Sequence, residues 1–493
     1  MVNAKQNFGL RCTILLAAAA VLTASAWLRG AEYDEQYTLF LTAGTPRPIW
    51  PERVFPAGLA ADIQAGQAGA MQIAHDLRAT DVHPPLYFWA AGAWRTILGS
   101  GLFEARLLSV CCALGALATV GHIAIRCGVA PNLAMGLTLG CYGFVYTGGI
   151  ARAFAMAQFL TLAGLACTLD QRKRGTPAGI LLGAAVLANY LAVFAAGVVL
   201  LGAPASGRRG YCARIAAFLP FLGLAGWFFM EQRGTRDGQF PPFHALPALS
   251  RLFGYAGANL TGGLVLYAPG RWQPVVAAGL LLAAAALLAG IGLRWRHIAT
   301  QRTRWLFAAA ALAPGLGVLG LGMVFNTTPI ELRYLSFSVP FVALLVAGAL
   351  QACRVRRIAI GLAALIQTCS IAGLMLRPET MQPARATASA AFELAQGAAV
   401  LLPAGNDGVG LVGAFLIEAE PALPVLIIQP TDTVERIRAK VRPFSRVVLA
   451  LLAQDGVSRD KVAAMRVAFS HPDWHPTAFG FNVAAYERTE PQP

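Results

Sequence analysis

The sequence predicts an α-helical polytopic membrane protein that ends in a small α/β domain. Three observations carry that reading. Apolar residues make up 57% of the 493 positions and charged residues only 13%, where roughly 25% charged is usual in soluble domains; the mean hydropathy is +0.58. Apolar runs long enough to cross a bilayer, about 20 residues, recur through residues 1–376 with short basic loops between them. Past Pro378 the pattern changes to short β-type runs alternating with amphipathic ones.

Composition also excludes classes. The net charge of +15 raises nucleic acid as a partner. The basic residues sit instead in short loops between apolar runs, as the positive-inside rule expects, and no nucleic-acid-binding motif is present. The nine cysteines, from Cys12 to Cys369, lie in or beside apolar runs without C-x-x-C spacing. They imply neither a zinc site nor a disulfide framework.

The chain begins with Lys5 and Arg11, an apolar stretch and Ala24-Ser25-Ala26. That pattern also fits a signal peptide, but the membrane-embedded remainder favours an uncleaved first span. Either reading sends residue 30 outside. Further spans are expected at 105–125, 131–149, 153–169, 211–230, 272–293, 305–325, 335–352 and 358–376, after the first at 10–28. Arg126, Arg172-Lys173-Arg174, Arg208-Arg209, the group Arg294, Arg296, Arg302 and Arg304, and Arg354, Arg356 and Arg357 orient them with those loops in the cytoplasm. The loop 29–104, the turn 147–152, the loop 231–271, the turn 326–334 and the segment from 377 then fall together outside. Two segments strain the scheme: 84–99 is a short apolar run holding Arg95, and 177–204 must make two passes around Asn189-Tyr190. The total comes to about 11–13 spans. Within the first outer loop, 29–83, Pro46, Pro48, Pro51 and Pro56 break the chain, and 57–79 reads as helix lying along the interface.

In the C-terminal segment, 409–417, 424–428, 446–452 and 479–487 read as strands, with helices at 434–441 and 459–469. The alternation fits an α/β domain of about 115 residues, an ordinary domain size. No Gly-rich phosphate loop is recognised in it.

Four constellations carry candidate chemistry, and all fall on the predicted outer side. The first is Asp34-Glu35, in Ala31-Glu32-Tyr33-Asp34-Glu35-Gln36-Tyr37, in a chain with only 24 acidic residues. Acids at a membrane boundary are costly unless hydrated or functional. A solvated pair of loop acids fits the spacing equally well. As chemistry, a positioned carboxylate takes the proton of a hydroxyl nucleophile as the new bond forms. The second is Asp81-Val82-His83-Pro84-Pro85-Leu86-Tyr87. The double proline fixes an extended approach and can start a helix, with Asp81 and His83 at its head; a structural Asp/His pair is the plainer alternative. The third, Ala151-Arg152-Ala153-Phe154, places a charge that either snorkels to headgroups or meets a lipid phosphate. The fourth is Pro329-Ile330-Glu331-Leu332-Arg333-Tyr334. Arg333 breaks the positive-inside trend; it either pairs with Glu331 or holds a phosphate by a two-pronged contact. Gln232-Arg233-Gly234-Thr235-Arg236-Asp237 and His244 read as solvated loop.

These pieces, in this order, resemble the GT-C superfamily of polytopic glycosyltransferases, closest to its protein O-mannosyltransferase and aminoarabinose transferase-like branch. The branch is marked by an acidic pair after the first span, His-Pro-Pro-Leu before the next hydrophobic segment, a Glu-Ala-Arg-x-Tyr-like turn and a late Arg-Tyr. Here they read Asp34-Glu35, His83-Pro84-Pro85-Leu86, Ala151-Arg152-Ala153-Phe154 and Arg333-Tyr334, over residues 5–376. The resemblance implies a GT-C-like fold in which 1–376 is the transferase domain, with its first periplasmic loop 29–83, and 377–493 a soluble periplasmic domain. It implies an inverting transfer of a hexosyl or pentosyl group from a polyprenyl-phosphate donor to a glycolipid, lipopolysaccharide or protein at the periplasmic face of a bacterial inner membrane, amid membrane lipids. Asp34 would be the base and Glu35 its support; His83, Asp81, Tyr87, Arg152, Arg333 and Tyr334 would line the substrate site, with Arg333 facing the donor phosphate. No metal ligand is assigned; metal use in the family is not uniform, which leaves room for a divalent cation. This chain departs from the pattern at Ile150, where the family has Glu, and at Phe154, where it has Tyr; both put a direct role for Arg152 in doubt.

Two other classes compete. A lipid-linked sugar flippase or transporter would place ionisable residues mid-span, whereas these span centres are nearly charge-free. A structural or sensor protein would leave Asp34-Glu35 and Arg333 without a purpose.

Overall fold

The computed structural model describes residues 2–170, 175–232, 242–262, 265, 268, 270–327, 330–353, 356–377 and 383–489, the side chains from Phe8 onward. The basic cluster Arg172-Lys173-Arg174, residues 233–237 of the outer loop, Pro329 and Arg354 lie outside the described residues. The chain divides into two compact units: Met1–Leu28, Val82–Tyr87 and Arg106–Pro378 form one, and Arg29–Asp81, Phe88–Ala105 and Glu379–Pro493 form the other.

The first unit is helical. Among the described residues, seven helices are long and apolar enough to cross a membrane: Phe8–Leu28, Leu102–Arg126, Gly207–Glu231, Gly270–Leu293, Gln301–Phe325, Leu332–Gln351 and Arg356–Leu376. Phe154–Leu169, Gly175–Ala188 and Ala192–Gly202 are shorter apolar helices. Leu281 and Leu282 are 71% and 72% exposed on Gly270–Leu293, a helix apolar on every side. Such a surface is unfavourable in water and natural in lipid, where a helix also satisfies its own backbone polar groups.

Local chemistry explains where helices break. The expected span 131–149 is two helices, Pro131–Gly140 and Tyr142–Gly148, with extended backbone at Cys141. Gln367 Nε2 donates to the Leu137 carbonyl at 2.9 Å. Gly140 leaves the room for that side chain, since a Cβ there would stand 2.1 Å from Gln367 Oε1. A side chain inserted into the helical ladder is a known cause of such a break. The run 177–204, expected to make two passes, is two short apolar helices, Gly175–Ala188 and Ala192–Gly202, neither of them among the seven long enough to cross. At the turn the Leu191 N–H donates to Asn189 Oδ1 at 3.0 Å, an Asx-type turn.

The second unit is α/β. Its strands are β1 (Phe55–Pro56), β2 (Ala399–Pro403), β3 (Pro424–Ile428), β4 (Arg446–Ala450), β5 (Trp474–Gly480) and β6 (Val483–Arg488). They form a sheet in the order β1-β3-β2-β4-β6-β5. β2 runs parallel to β3 and β4, and the other pairs are antiparallel. The core joins Phe40, Trp50, Phe55 and Ala60 of the first loop to Val400, Phe415 and Val425 of the C-terminal segment.

Several sequence expectations change here. Residues 409–417 are a helix, Gly410–Glu418, not a strand. The run is buried on all sides, so its apolar pattern carries no period to separate helix from strand. The central strand β2, every residue of it buried, is a short apolar run that the sequence reading passed over. The single strand expected at 479–487 is a hairpin, β5 and β6, turning at Phe481-Asn482. The helix expected at 57–79 is two, Leu59–Gln64 and Ala70–Thr80. The short apolar run 84–99 is the helix Leu86–Leu98.

A second glycine argument concerns the helix Tyr33–Ala43, which packs on Gly410–Glu418. A Cβ on Gly410 would stand 2.5 Å from the Tyr33 ring, and one on Gly413 would stand 2.7 Å from Phe40 Cε2. Tyr33, Gln36 and Phe40 share one face of their helix, and Gly410 and Gly413 share one face of theirs. Gly413→Leu forces an extra side chain into this contact. Overpacking costs about 1–3 kcal/mol, more than the gain of roughly 1 kcal/mol from removing a helical glycine. We expect a lowered unfolding temperature for Gly413→Leu, measured by fluorescence-monitored melting; an unchanged melt would show that the two helices part without cost.

Candidate functional site

In the second unit, Asp34 and Glu35 stand in the first turn of the helix Tyr33–Ala43. Glu32 is the N-cap. Its side chain accepts from the Glu35 N–H, and Glu35 Oε2 accepts from the Glu32 N–H at 3.0 Å. This reciprocal capping box satisfies two donors that a helix start otherwise leaves without partners. Glu35 is fully buried, while Asp34, one residue earlier, is half-buried. The two carboxylates are therefore different: Glu35 closes the cap and is buried, and Asp34 is partly exposed.

The cap is itself held. Arg29 pairs with Glu32. Glu418 Oε1 accepts from the Ala31 N–H at 2.6 Å, and Glu418 Oε2 accepts from Arg385 Nε at 2.6 Å. At the other end of the helix, Arg95 donates to the Leu39 carbonyl at 2.9 Å, and to Thr42 Oγ1 and the Gln64 carbonyl. A cation at a helix C-terminus opposes the negative end of the macrodipole. Burial lowers the Arg95 pKa to about 10, which leaves it protonated at neutral pH. Arg95, the oddity of the apolar run 84–99, is thus a clamp. Asp81 is buried and ends the helix Ala70–Thr80, its N–H donating to the Leu77 carbonyl at 3.1 Å.

In the first unit the structure brings His83 and Arg152 together, and Phe154, two residues after Arg152, against Tyr334. Arg152, only 3% exposed, sits in the turn before the helix Phe154–Leu169. Its Nη2 lies 2.9 Å from His83 Nε2 and 3.3 Å from Nδ1. A guanidinium only donates, so the imidazole presents a lone pair to it. The His83 carbonyl accepts from Gln232 Nε2 at 2.9 Å, and Gln232 Oε1 accepts from the Tyr190 hydroxyl at 2.9 Å. Tyr87 is fully buried. Phe154 meets Tyr334 with ring centroids 6.2 Å apart, which ties the third motif to the fourth.

Arg333 and Tyr334 lie on a 3-10 stretch, Leu332–Ser338, that leads into the helix Val339–Gln351. Such a stretch leaves carbonyls that an α-helix would use. Asn259 Nδ2 takes the Leu332 carbonyl at 2.5 Å, and Gln158 Nε2 takes the Ser336 carbonyl at 2.7 Å. Arg333 pairs with Glu331, and its Cζ stands 5.6 Å from the Tyr334 ring centroid. An arginine carries several donors in a rigid fork. Asn259 and Gln158 are not marked by the sequence, and the partners of Gln232, Tyr190 and Arg95 are not either. Each acts through a backbone carbonyl or a single hydroxyl, and no local spacing announces such a contact. Among the described residues no group of three or more His, Cys, Asp and Glu side chains stands together as a metal donor set.

Solved structures match this chain along its length, two of them of one protein. One is ArnT from Cupriavidus metallidurans bound to undecaprenyl phosphate, with a TM-score of 0.54 and 12% identity over 98% of this chain and 99% of that one. The other is the same protein in the apo state, also at 0.54 and 12%, over 97% and 98%. The fold is that of ArnT. It is the GT-C-like helical fold with a small C-terminal α/β region that the sequence predicts. No family profile matches the chain, and no curated protein matches it.

The two acids call for different outcomes on substitution. Glu35→Ala opens the capping box, a loss of about 0.5–2 kcal/mol, whereas Glu35→Gln keeps it, since Gln serves at this position. Asp34→Asn leaves the cap intact. Thermal melting of the three variants should show a fall for Glu35→Ala alone; an equal fall for Asp34→Asn would make Asp34 structural as well.

Proposed function

We propose that this protein is an inverting glycosyltransferase that takes a sugar from a polyprenyl-phosphate carrier at the periplasmic face of a bacterial inner membrane. The observation that carries the reading is the buried Arg152 held on His83, with its neighbour Phe154 against Tyr334, the residue after Arg333. The shared fold with an ArnT structure bound to undecaprenyl phosphate supports it.

In this reading Asp34 is the base. An acceptor hydroxyl attacks the anomeric carbon, its proton passes to the Asp34 carboxylate, and the bond from that carbon to the phosphate oxygen breaks. The electron pair leaves with the polyprenyl phosphate. One displacement inverts the anomeric centre. Charge develops on the leaving phosphate, and fixed cationic donors aimed there stabilise the transition state more than the ground state. Arg333 supplies the two-pronged contact, and Arg152 adds positive charge, with His83 orienting its guanidinium. Tyr87 and Tyr334 shape the wall of the site. Asp81 anchors the segment that leads to His83, and Glu35 holds the turn that presents Asp34. The acceptor is a glycolipid, lipopolysaccharide or protein.

The test is sugar transfer in proteoliposomes from a panel of radiolabelled polyprenyl-phosphate sugars. Loss of general-base assistance is worth about 10²–10⁴ in rate, so Asp34→Asn should lose most turnover of whichever donor the wild type uses while still folding. Arg333→Ala should lose turnover too, and Arg333→Lys should regain only part of it because the planar fork is gone. Scrambling of the labelled lipid without transfer, unaffected by Asp34→Asn, would replace the enzyme with a flippase.

A further inference from the structure

We propose that the C-terminal α/β segment takes part in transfer as the platform for the base, with Tyr37 and Asp407 as positioning residues for Asp34. This rests on the assignment of Asp34 above and goes beyond it, because it assigns a purpose to the C-terminal segment.

Asp407 lies in the loop between β2 and the helix Gly410–Glu418. Its own loop aims it: Asp407 Oδ1 accepts from the Val409 N–H at 3.0 Å. The loop is fixed in turn by Trp50, whose Nε1 donates to the Gly408 carbonyl at 2.6 Å. The other carboxylate oxygen, Oδ2, accepts the Tyr37 hydroxyl at 2.5 Å. A hydrogen bond from a hydroxyl to a carboxylate is short and roughly twice as strong as a neutral one. The Tyr37 and Tyr33 hydroxyls are 2.8 Å apart. Tyr37 spends its one proton on Asp407, so Tyr33 is the donor to Tyr37.

The order Tyr33 to Tyr37 to Asp407 brackets Asp34 along the chain. Tyr33 precedes it, and Tyr37 follows three residues later on the neighbouring part of the same helical surface. Burial, with Tyr33 and Asp407 beside it, holds the Tyr37 phenol well above its ordinary range. Tyr37 therefore stays a donor throughout the pH range in which a carboxylate base works. The packing of Tyr33 and Phe40 on Gly410 and Gly413 sets the distance between the two helices. That packing fixes the spacing of the helices, whereas the Tyr37–Asp407 bond is directional and sets the rotation of the first helix about its axis. Rotation decides where Asp34 points. A misplacement of about 1 Å at a reacting group costs roughly a hundredfold in rate, so a partly relaxed rotation should cost about tenfold.

The experiment uses the full chain in proteoliposomes with Tyr37→Phe, Asp407→Ala, Asp407→Asn and Asp34→Asn. It reads kcat and KM for the labelled polyprenyl-phosphate sugar, and amide hydrogen exchange across 33–43 and across β2 and β4. Tyr37→Phe and Asp407→Ala are expected to lower kcat about tenfold with KM unchanged and to speed exchange in 33–43 but not in the strands. Asp407→Asn, which keeps an acceptor for Tyr37, should recover most of the loss. Wild-type exchange across 33–43 in Tyr37→Phe overturns the proposal without any substrate. Wild-type kcat in Tyr37→Phe beside an inactive Asp34→Asn overturns the positioning role alone. Full turnover in Asp34→Asn overturns the base assignment and the positioning role with it.

Discussion

The helix Tyr33–Ala43 has 11 residues, too few to stay helical alone in water. Its existence depends on docking against Gly410–Glu418, and much of the second unit follows from that constraint. Two glycines are needed where the helices meet, because Tyr33 and Phe40 occupy the space a Cβ would take. The capping box at one end and the Arg95 clamp at the other satisfy backbone groups that docking removes from water. β1 extends the sheet at β3, so the loop that carries the acids shares a ladder and a core with the C-terminal segment. A segment 350 or so residues away in the chain is therefore part of the folding unit of the first loop, at a loop-closure cost that grows only slowly with length.

The first unit obeys a different constraint. Lipid cannot hydrogen-bond a backbone, so irregular chain is tolerated there only where protein groups satisfy it. Two interruptions among the described residues have side-chain partners. Gln367 serves the break at Cys141, and Asn259 and Gln158 serve the 3-10 stretch before Val339. The motif residues sit beside these interruptions, Arg333 and Tyr334 on the 3-10 stretch and Arg152 in the turn before Phe154. Broken helices free the backbone to present side chains at fixed angles, and the amides that repair the breaks also stiffen the presentation.

Much of this was legible in the sequence, for identifiable reasons. Membrane helices announce themselves by composition, and the turn at Asn189 and the helix after Pro84-Pro85 follow from local chemistry. The identities of the candidate residues were legible as well, because a charge in an apolar chain stands out. Partners were not. Nothing near Tyr37 in sequence points to Asp407, and nothing near His83 points to Gln232 or Tyr190. The Gly405–Gly410 run was passed over as lacking a phosphate-loop pattern. Gly408 answers to its left-handed φ of 65°, and Gly410 to the Tyr33 ring that lies against it. The helix Gly410–Glu418 was misread for the same reason that β2 was missed: complete burial erases the periodicity by which either is recognised.

Two adjacent acids after a first span invite the reading that both do chemistry. Helix geometry separates them. Neighbouring residues on an α-helix point about 100° apart, so a single turn cannot aim both at one target. Glu35 occupies the third helical position, the one from which a side chain reaches back to the N-cap amide. That bond removes Glu35 from competition and, by fixing the first turn, gives Asp34 a defined direction. A sequence with Gln at 35 would keep the turn, and one with Asn at 34 would keep the turn and remove the candidate base. The pair is thus one structural acid and one candidate chemical acid, and it is the structural one that makes the other's position specific.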